Sequence, residues 1–231
     1  MGVLVLAGPK SRDLLQKLTL SDLSNAAFPW LSGQQIDVHL APSLAMRVNF
    51  VGELGWELHH PIEYQNHIFD ALFAAGAEFG MKPFGIRAMD AMRLEKSYRM
   101  VGTEMSIEYA AFESGLHRFV QMQKESFIGR NGLADWQEKG FNNSFITLEV
   151  KGTEDADALG GNPLYKDGKL VGRATSGGYG FRVKKSLALA MVSPELAEAG
   201  TVLEIDILGR RFDAVVIEES PFDPANEKLR A

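Results

Sequence analysis

Gly52-Glu53-Leu54-Gly55-Trp56-Glu57-Leu58-His59-His60 is the stretch on which the fold of this chain turns. Read as an extended strand, it places Leu54, Trp56 and Leu58 on one face and Gly55, Glu57 and His59 on the other. The first face needs a core to cover it. The second carries a carboxylate that points into solvent or into a cleft. Two more short strands precede it, at residues 36–40 and 44–50, joined through Ala41-Pro42-Ser43, and residues 3–6 read as a buried strand. Between them, Ser11 is placed to cap a short helix whose apolar stripe is Leu14, Leu15 and Leu18. Residues 62–79 form a helix by the spacing of Ile68, Phe69, Leu72 and Phe73, and Gly80 and Pro83 stop it. A further helix runs over residues 86–98, where Asp90 can pair with Arg93 and Glu95 with Arg99. This mixture of strands and helices is read as an α+β class.

Farther along the chain the pattern changes. After a helix at 127–138, ended by Gly140, short strands follow at 146–150, 170–175, 187–192, 202–208 and 212–217, with turns such as Lys166-Asp167-Gly168-Lys169 between them. Regular short strands and turn signals imply a small β-barrel or sandwich. The expected boundary lies near 139–144, giving an α+β region at 1–140 and a barrel at 141–231. A domain that opens directly on a buried strand lacks a flanking partner, so the α+β region is expected to be incomplete at its N-terminus, the middle of a longer fold.

Composition narrows the chemistry. The chain has 231 residues, 45% apolar and 23% charged, with a net charge of −6. An acidic balance argues against nucleic acid as a partner, because phosphate binding needs a basic surface. There is no cysteine, which removes disulfides, thiolate metal sites and a cysteine nucleophile together. No apolar run approaches the roughly 20 residues that span a bilayer, and residues 1–13 lack the pattern of a secretory signal. No membrane partner is expected, and the expected compartment is the cytoplasm or an organelle matrix.

No phosphate-binding loop, nucleophile elbow or spaced metal-ligand set is present. His59 and His60 fall on opposite strand faces, so no metal site is assigned. The run Ser176-Gly177-Gly178-Tyr179-Gly180 reads as a flexible hairpin turn in preference to a ligand loop. The candidate site residues are Glu57 and Arg87. Arg87 shares a helix face with Ala91, Leu94 and Tyr98, and an arginine on an apolar stripe needs a carboxylate or a ligand for its fork. Either an internal ion pair, with Glu57 or an aspartate, or a bound ligand meets that need.

Gly52-Glu53-Leu54-Gly55-Trp56-Glu57-Leu58 followed by Gly85-Ile86-Arg87-Ala88-Met89-Asp90-Ala91-Met92-Arg93-Leu94-Glu95-Lys96 resembles the folate-binding T-protein family of the glycine cleavage system. Ser97-Tyr98-Arg99-Met100-Val101-Gly102-Thr103-Glu104-Met105 resembles its dimethylglycine and sarcosine dehydrogenase branch more closely, as do Gly8-Pro9-Lys10-Ser11-Arg12 and the segment from Asp22 to Trp30. Gly172-Arg173-Ala174-Thr175-Ser176-Gly177-Gly178-Tyr179 and Lys185-Ser186-Leu187-Ala188 extend the resemblance over essentially the whole chain. It implies an aminomethyltransferase-type folate-binding domain followed by a C-terminal barrel. The implied cofactor is tetrahydrofolate, and the implied reaction passes a one-carbon unit from a small methylated amine to give methylene-tetrahydrofolate.

By the same resemblance Glu57 holds the pterin ring and Arg87 belongs to the folate site. The family often has tyrosine where this chain has Phe50. Its catalytic aspartate lies upstream of the Gly8-Pro9-Lys10-Ser11 segment, so no catalytic residue is assigned, and the isolated chain is expected to bind folate without turnover. In the dehydrogenase branch a flavin oxidase region is expected upstream or on a separate chain. Two rival readings are a non-enzymatic folate-binding protein of the kind that assists iron–sulfur assembly and a structural module without folate. The first usually carries a cysteine motif after the arginine helix, which is absent here.

Overall fold

The stretch quoted above becomes a strand from Gly55 onward in the computed structural model, which describes residues 1–153 and 155–231. It is the fourth in chain order: β1 (Gly2–Ala7), β2 (Gly33–Val38), β3 (Ala41–Met46) and β4 (Gly55–His60) form one antiparallel sheet in the order β1-β4-β3-β2. The alternation holds from Trp56 onward, while Gly55 is buried as well. Leu54, Trp56 and Leu58 are buried, and Glu57 and His59 are half-buried on the opposite face. Helices α1 (Ser11–Gln16) and α2 (Gln65–Gly76) cover the apolar side, where Leu14, Leu15, Ile68 and Leu72 join Ile36, Val38, Trp56 and Leu58 in one core. Trp56 is fully buried and meets Phe28 edge-on, with ring centroids 6.2 Å apart. Burying a side chain of that size stabilises the unit by roughly 1.5–3 kcal/mol.

Four local expectations are revised. Lys10 is the residue that caps α1, and Ser11 is its first helical residue; the Ser11 hydroxyl donates to the Leu54 carbonyl at 3.0 Å and so ties the helix to the turn before β4. The helix expected over 62–79 is α2 with a tighter single turn at each end, Ile62–Tyr64 and Ala77–Phe79, and Gly80 ends it in the left-handed conformation at φ 69°. Helix α3 (Ile86–Leu94) stops before Tyr98, because the next residues turn their side chains to distant partners. Glu95 accepts from Arg182, the Ser97 hydroxyl bonds that of Thr147 at 2.7 Å, and Ser97 itself has φ 54°. Asp90 does pair with Arg93, at 2.6 Å, whereas Arg99 takes Glu219 instead of Glu95.

The chain divides into two compact units, Met1–Arg93 with Asp223–Ala231, and Leu94–Phe222. The second contains α4 (Arg130–Lys139) and a closed antiparallel barrel of β5 (Ser144–Val150), β6 (Pro163–Lys166), β7 (Lys169–Gly180), β8 (Lys185–Val192), β9 (Val202–Ile207) and β10 (Arg210–Ile217). Its order is β10-β5-β8-β7-β6-β9, so no strand has an open edge. Two hairpins close on pairs of left-handed residues, Asp167-Gly168 at φ 50° and 75° and Leu208-Gly209 at 52° and 78°, the backbone twist that tight hairpins favour. Inside, Ile146, Leu148, Leu164, Ala188, Leu203 and Ile205 pack into one core.

The glycine run at 176–180 is neither a hairpin turn nor a ligand loop. It is the second half of β7, with Gly177 opposite Ala188 and Gly180 opposite Lys185. Glycine is required there by close approach, since a Cβ on Gly177 would lie 2.3 Å from the Ala158 carbonyl oxygen.

The expected division at 140 and the compact units do not coincide, and buried carboxylates account for the difference. Glu113 accepts the backbone N–H groups of Ala110, Asn142 and Asn143 at 2.8, 3.2 and 3.0 Å, and Glu104 accepts the Thr175 and Ser176 hydroxyls of β7, both at 2.6 Å. These bonds fasten residues of the 94–139 stretch to the barrel. The first unit is completed from the other end of the chain. Helix α5 (Glu227–Arg230) buries Leu229, and Arg12 and Arg47 donate to the Ala231 carbonyl at 2.8 and 2.9 Å.

Candidate functional site

The first unit holds a cavity of about 430 Å³, within the usual range for small-molecule pockets. Five stretches of backbone line it, among them Phe50-Val51 and α2. Strand β1 supplies Leu4 to Ala7, β4 supplies Glu57, and the segment from Met81 to Met89 crosses from the end of α2 into α3. Phe69 and Phe73 of α2 meet there with ring centroids 4.4 Å apart, and Phe50 lies on the wall as well. The lining is apolar apart from two charged side chains among the described residues, Glu57 and Lys82. Glu57 reaches the cavity because the alternation of β4 turns it away from the Trp56 core. Opposite it stand Val5 of β1 and Met46 of β3. Its Oε2 lies 3.1 Å from His59 Nε2.

Such a lining takes a flat, largely apolar ring that stacks on aromatic walls and presents hydrogen-bond donors at one edge. A carboxylate is acceptor-only, and its two oxygens suit adjacent N–H groups.

Arg87 is placed otherwise than its spacing suggested. It is exposed on the first turn of α3 and makes no hydrogen bond or ion pair with a described residue, although its neighbours Ile86 and Met89 line the cavity. Leu94, at the far end of the same stripe, is fully buried, so the stripe enters a core only at its C-terminal end. An internal ion pair between Arg87 and Glu57 is therefore not formed. Arg87→Met is accordingly expected to change stability by less than ~0.5 kcal/mol, a shift of about 1–2 °C in a thermal melt. A much larger loss would show that the arginine has a structural partner.

A second crevice, of about 210 Å³, lies in the barrel unit between Thr103, Tyr109, Arg173 and Thr175. Its polar groups are already committed to one another. Thr103 and Thr175 donate to Glu104 at 2.7 and 2.6 Å, and Arg173 binds Glu108 and the Tyr109 hydroxyl. Both Tyr109, as the larger cause, and Glu108 raise the pKa of Arg173 above its ordinary value. This leaves the apolar cavity as the better ligand site. The Glu57–His59 pair is the feature that spacing could have disclosed, since residues two apart on a strand share a face. The crossing segment at 81–86 carries no periodic signal and could not have been found that way.

Comparison with known proteins adds an independent line. Residues 1–124 match the GCVT N-terminal domain, and residues 143–223 match the glycine cleavage T-protein C-terminal barrel domain. The chain is 41% identical over 220 residues to mitochondrial dimethylglycine dehydrogenase of Homo sapiens, covering 95% of this chain and 25% of that protein. It is 33% identical over 214 residues to an aminomethyltransferase of Desulfitobacterium hafniense, covering 93% and 58%. The crystal structure of the glycine cleavage system aminomethyltransferase T from Bartonella henselae superposes with a TM-score of 0.84 at 20% identity, over 96% of this chain and 60% of that one. The chain thus spans a quarter of the length of the dehydrogenase and more than half of the aminomethyltransferase.

Proposed function

This chain belongs to the glycine cleavage T-protein family, with its GCVT N-terminal domain and T-protein C-terminal barrel, and we propose that its apolar cavity holds the pterin ring of tetrahydrofolate. The observation that carries this reading is the placement of Glu57 as the one carboxylate among the described residues lining an aromatic-walled cavity. Glu57 accepts the paired N–H groups at the pterin edge, a charge-assisted contact. Phe50, Phe69 and Phe73 flank the ring and exclude water from it. Arg87, between the cavity-lining Ile86 and Met89 and without a partner among the described residues, is placed to meet the anionic tail of the ligand. Bound tetrahydrofolate supplies the amine that accepts a one-carbon unit. With phenylalanine at position 50, no hydroxyl contact comes from that position.

The wider reading is a folate-binding region for one-carbon transfer from a small methylated amine, part of a dimethylglycine or sarcosine dehydrogenase or T-protein-like protein, with a flavin oxidase region upstream or on a separate chain. The similarity to dimethylglycine dehydrogenase supports it. Among the described residues no helix is long and apolar enough to cross a membrane, and we place the protein in the cytoplasm or an organelle matrix.

A thermal melt with tetrahydrofolate, beside an assay for methylene-tetrahydrofolate, tests the proposal. Ligand at a hundredfold excess over Kd should stabilise the chain by about 2.7 kcal/mol by mass action. No shift at millimolar tetrahydrofolate would overturn the binding assignment and favour a structural module. Turnover by the chain alone would show that it carries a catalytic group of its own.

A further inference from the structure

Glu57 does not stand alone on its face of the sheet. His59, two residues along β4, brings Nε2 to 3.1 Å from Glu57 Oε2, with the two side chains 21% and 31% exposed. The residues beside the pair in the register are apolar: Val3 and Val5 on β1, Leu44 and Met46 on β3. Among the described residues His59 is therefore the one hydrogen-bond partner of the Glu57 side chain, and Glu57 Oε1 has none.

We propose that His59 is a positioning residue for the ligand-binding carboxylate. Its Nε2–H donates to Oε2 and holds the carboxylate plane in one orientation. Oε1 and the remaining lone pairs of Oε2 then stay available to a pair of N–H donors on the ligand. With only Val5 and Met46 beside it on the neighbouring strands, a glutamate lacking His59 has several rotamers of similar energy, and a side chain fixed beforehand loses less freedom on binding. This inference rests on the tetrahydrofolate reading of the cavity. On it, His59 belongs to the same site as Glu57.

The test is a calorimetric titration of the 231-residue chain with tetrahydrofolate, using His59→Phe, His59→Gln, Glu57→Gln and the double variant His59→Phe/Glu57→Gln. His59→Phe should weaken binding about three- to tenfold. His59→Gln keeps an N–H donor near the position of Nε2 and should stay within about twofold of the unsubstituted chain. In the Glu57→Gln background the phenylalanine should have no further effect, since the carboxylate it would disorder is gone. Independently of any ligand, nitrogen NMR should show the neutral His59 ring protonated at Nε2.

Binding indifferent to His59→Phe, an equal loss in the Glu57→Gln background, or a ring protonated at Nδ1 would each overturn the positioning role while leaving the folate reading intact. No binding by the unsubstituted chain would overturn both.

Discussion

Gly177→Ala is expected to cost the barrel unit about 3 kcal/mol or more, lowering the melting temperature by roughly 6–12 °C. An added Cβ would lie 2.3 Å from the Ala158 carbonyl oxygen and 2.7 Å from the Ala158 Cβ. Ala158 is itself fully buried, and the obstacle is backbone, which cannot swing aside as a long side chain can. The neighbouring position is the control. A Cβ on Gly178 meets only the Leu94 Cδ1, at 3.1 Å. Gly178→Ala should cost less than ~1 kcal/mol, because the end of a leucine can yield. Equal melting temperatures for the two variants would show that the β7 register is not the one described.

Glu104→Gln is expected to cost on the order of 3–4 kcal/mol at neutral pH. The Glu104 carboxylate is fully buried. It accepts the hydroxyls of Thr175 and Ser176 on Oε1, and the Met100 N–H and Thr103 hydroxyl on Oε2, all between 2.6 and 2.9 Å. A glutamine has one oxygen for these donors and sets an amide N–H against the rest. Burial, the largest single influence, pushes the Glu104 pKa up, but the four hydrogen bonds together outweigh it and hold the carboxyl below its usual value.

A depressed folded-state pKa fixes the sign of the pH dependence. The stabilisation from Glu104 is complete above the ordinary glutamate value of about 4.3 and is lost as pH falls through the lower folded-state value. In urea titrations the gap between the unsubstituted chain and Glu104→Gln should be constant from pH 7 to about 5 and should narrow only in stronger acid. A gap below ~1 kcal/mol at pH 7, or one that stays constant down to pH 2, would contradict this role.

What could be read from the sequence, and what could not, follows from how far apart the interacting residues lie. The alternation of Leu54, Trp56 and Leu58 against Glu57 and His59 is a local pattern, and it fixed both the core face and the candidate carboxylate. The Asp167-Gly168 hairpin was equally local. Strand β6 leaves no strand signal in the sequence because it has four residues and begins with proline. The glycines of β7 looked like a turn because their cause, the approach of Ala158, lies some twenty residues away and leaves no mark at 176–180. Helical spacing paired Glu95 with Arg99, and no local pattern marks Glu104 or Glu113 as buried. Glu95 and Glu104 meet partners in β7 and beyond, 71 to 88 residues on, and Glu113 meets partners near 142, 29 and 30 residues on. Arg87 misled for a related reason. Helical spacing says which residues share a face, but not at which turn that face enters the core.

The central claim, that Glu57 is the carboxylate that takes the pterin edge, is tested most directly by calorimetric titration of the chain and of Glu57→Gln with tetrahydrofolate. Glu57 is half-buried and bonded only to His59 among the described residues, so the substitution should leave the fold intact. Loss of one charge-assisted contact, roughly 1.5–3 kcal/mol, predicts saturable binding by the unsubstituted chain and an affinity about 10- to 150-fold weaker in the variant. Equal affinities would contradict the account.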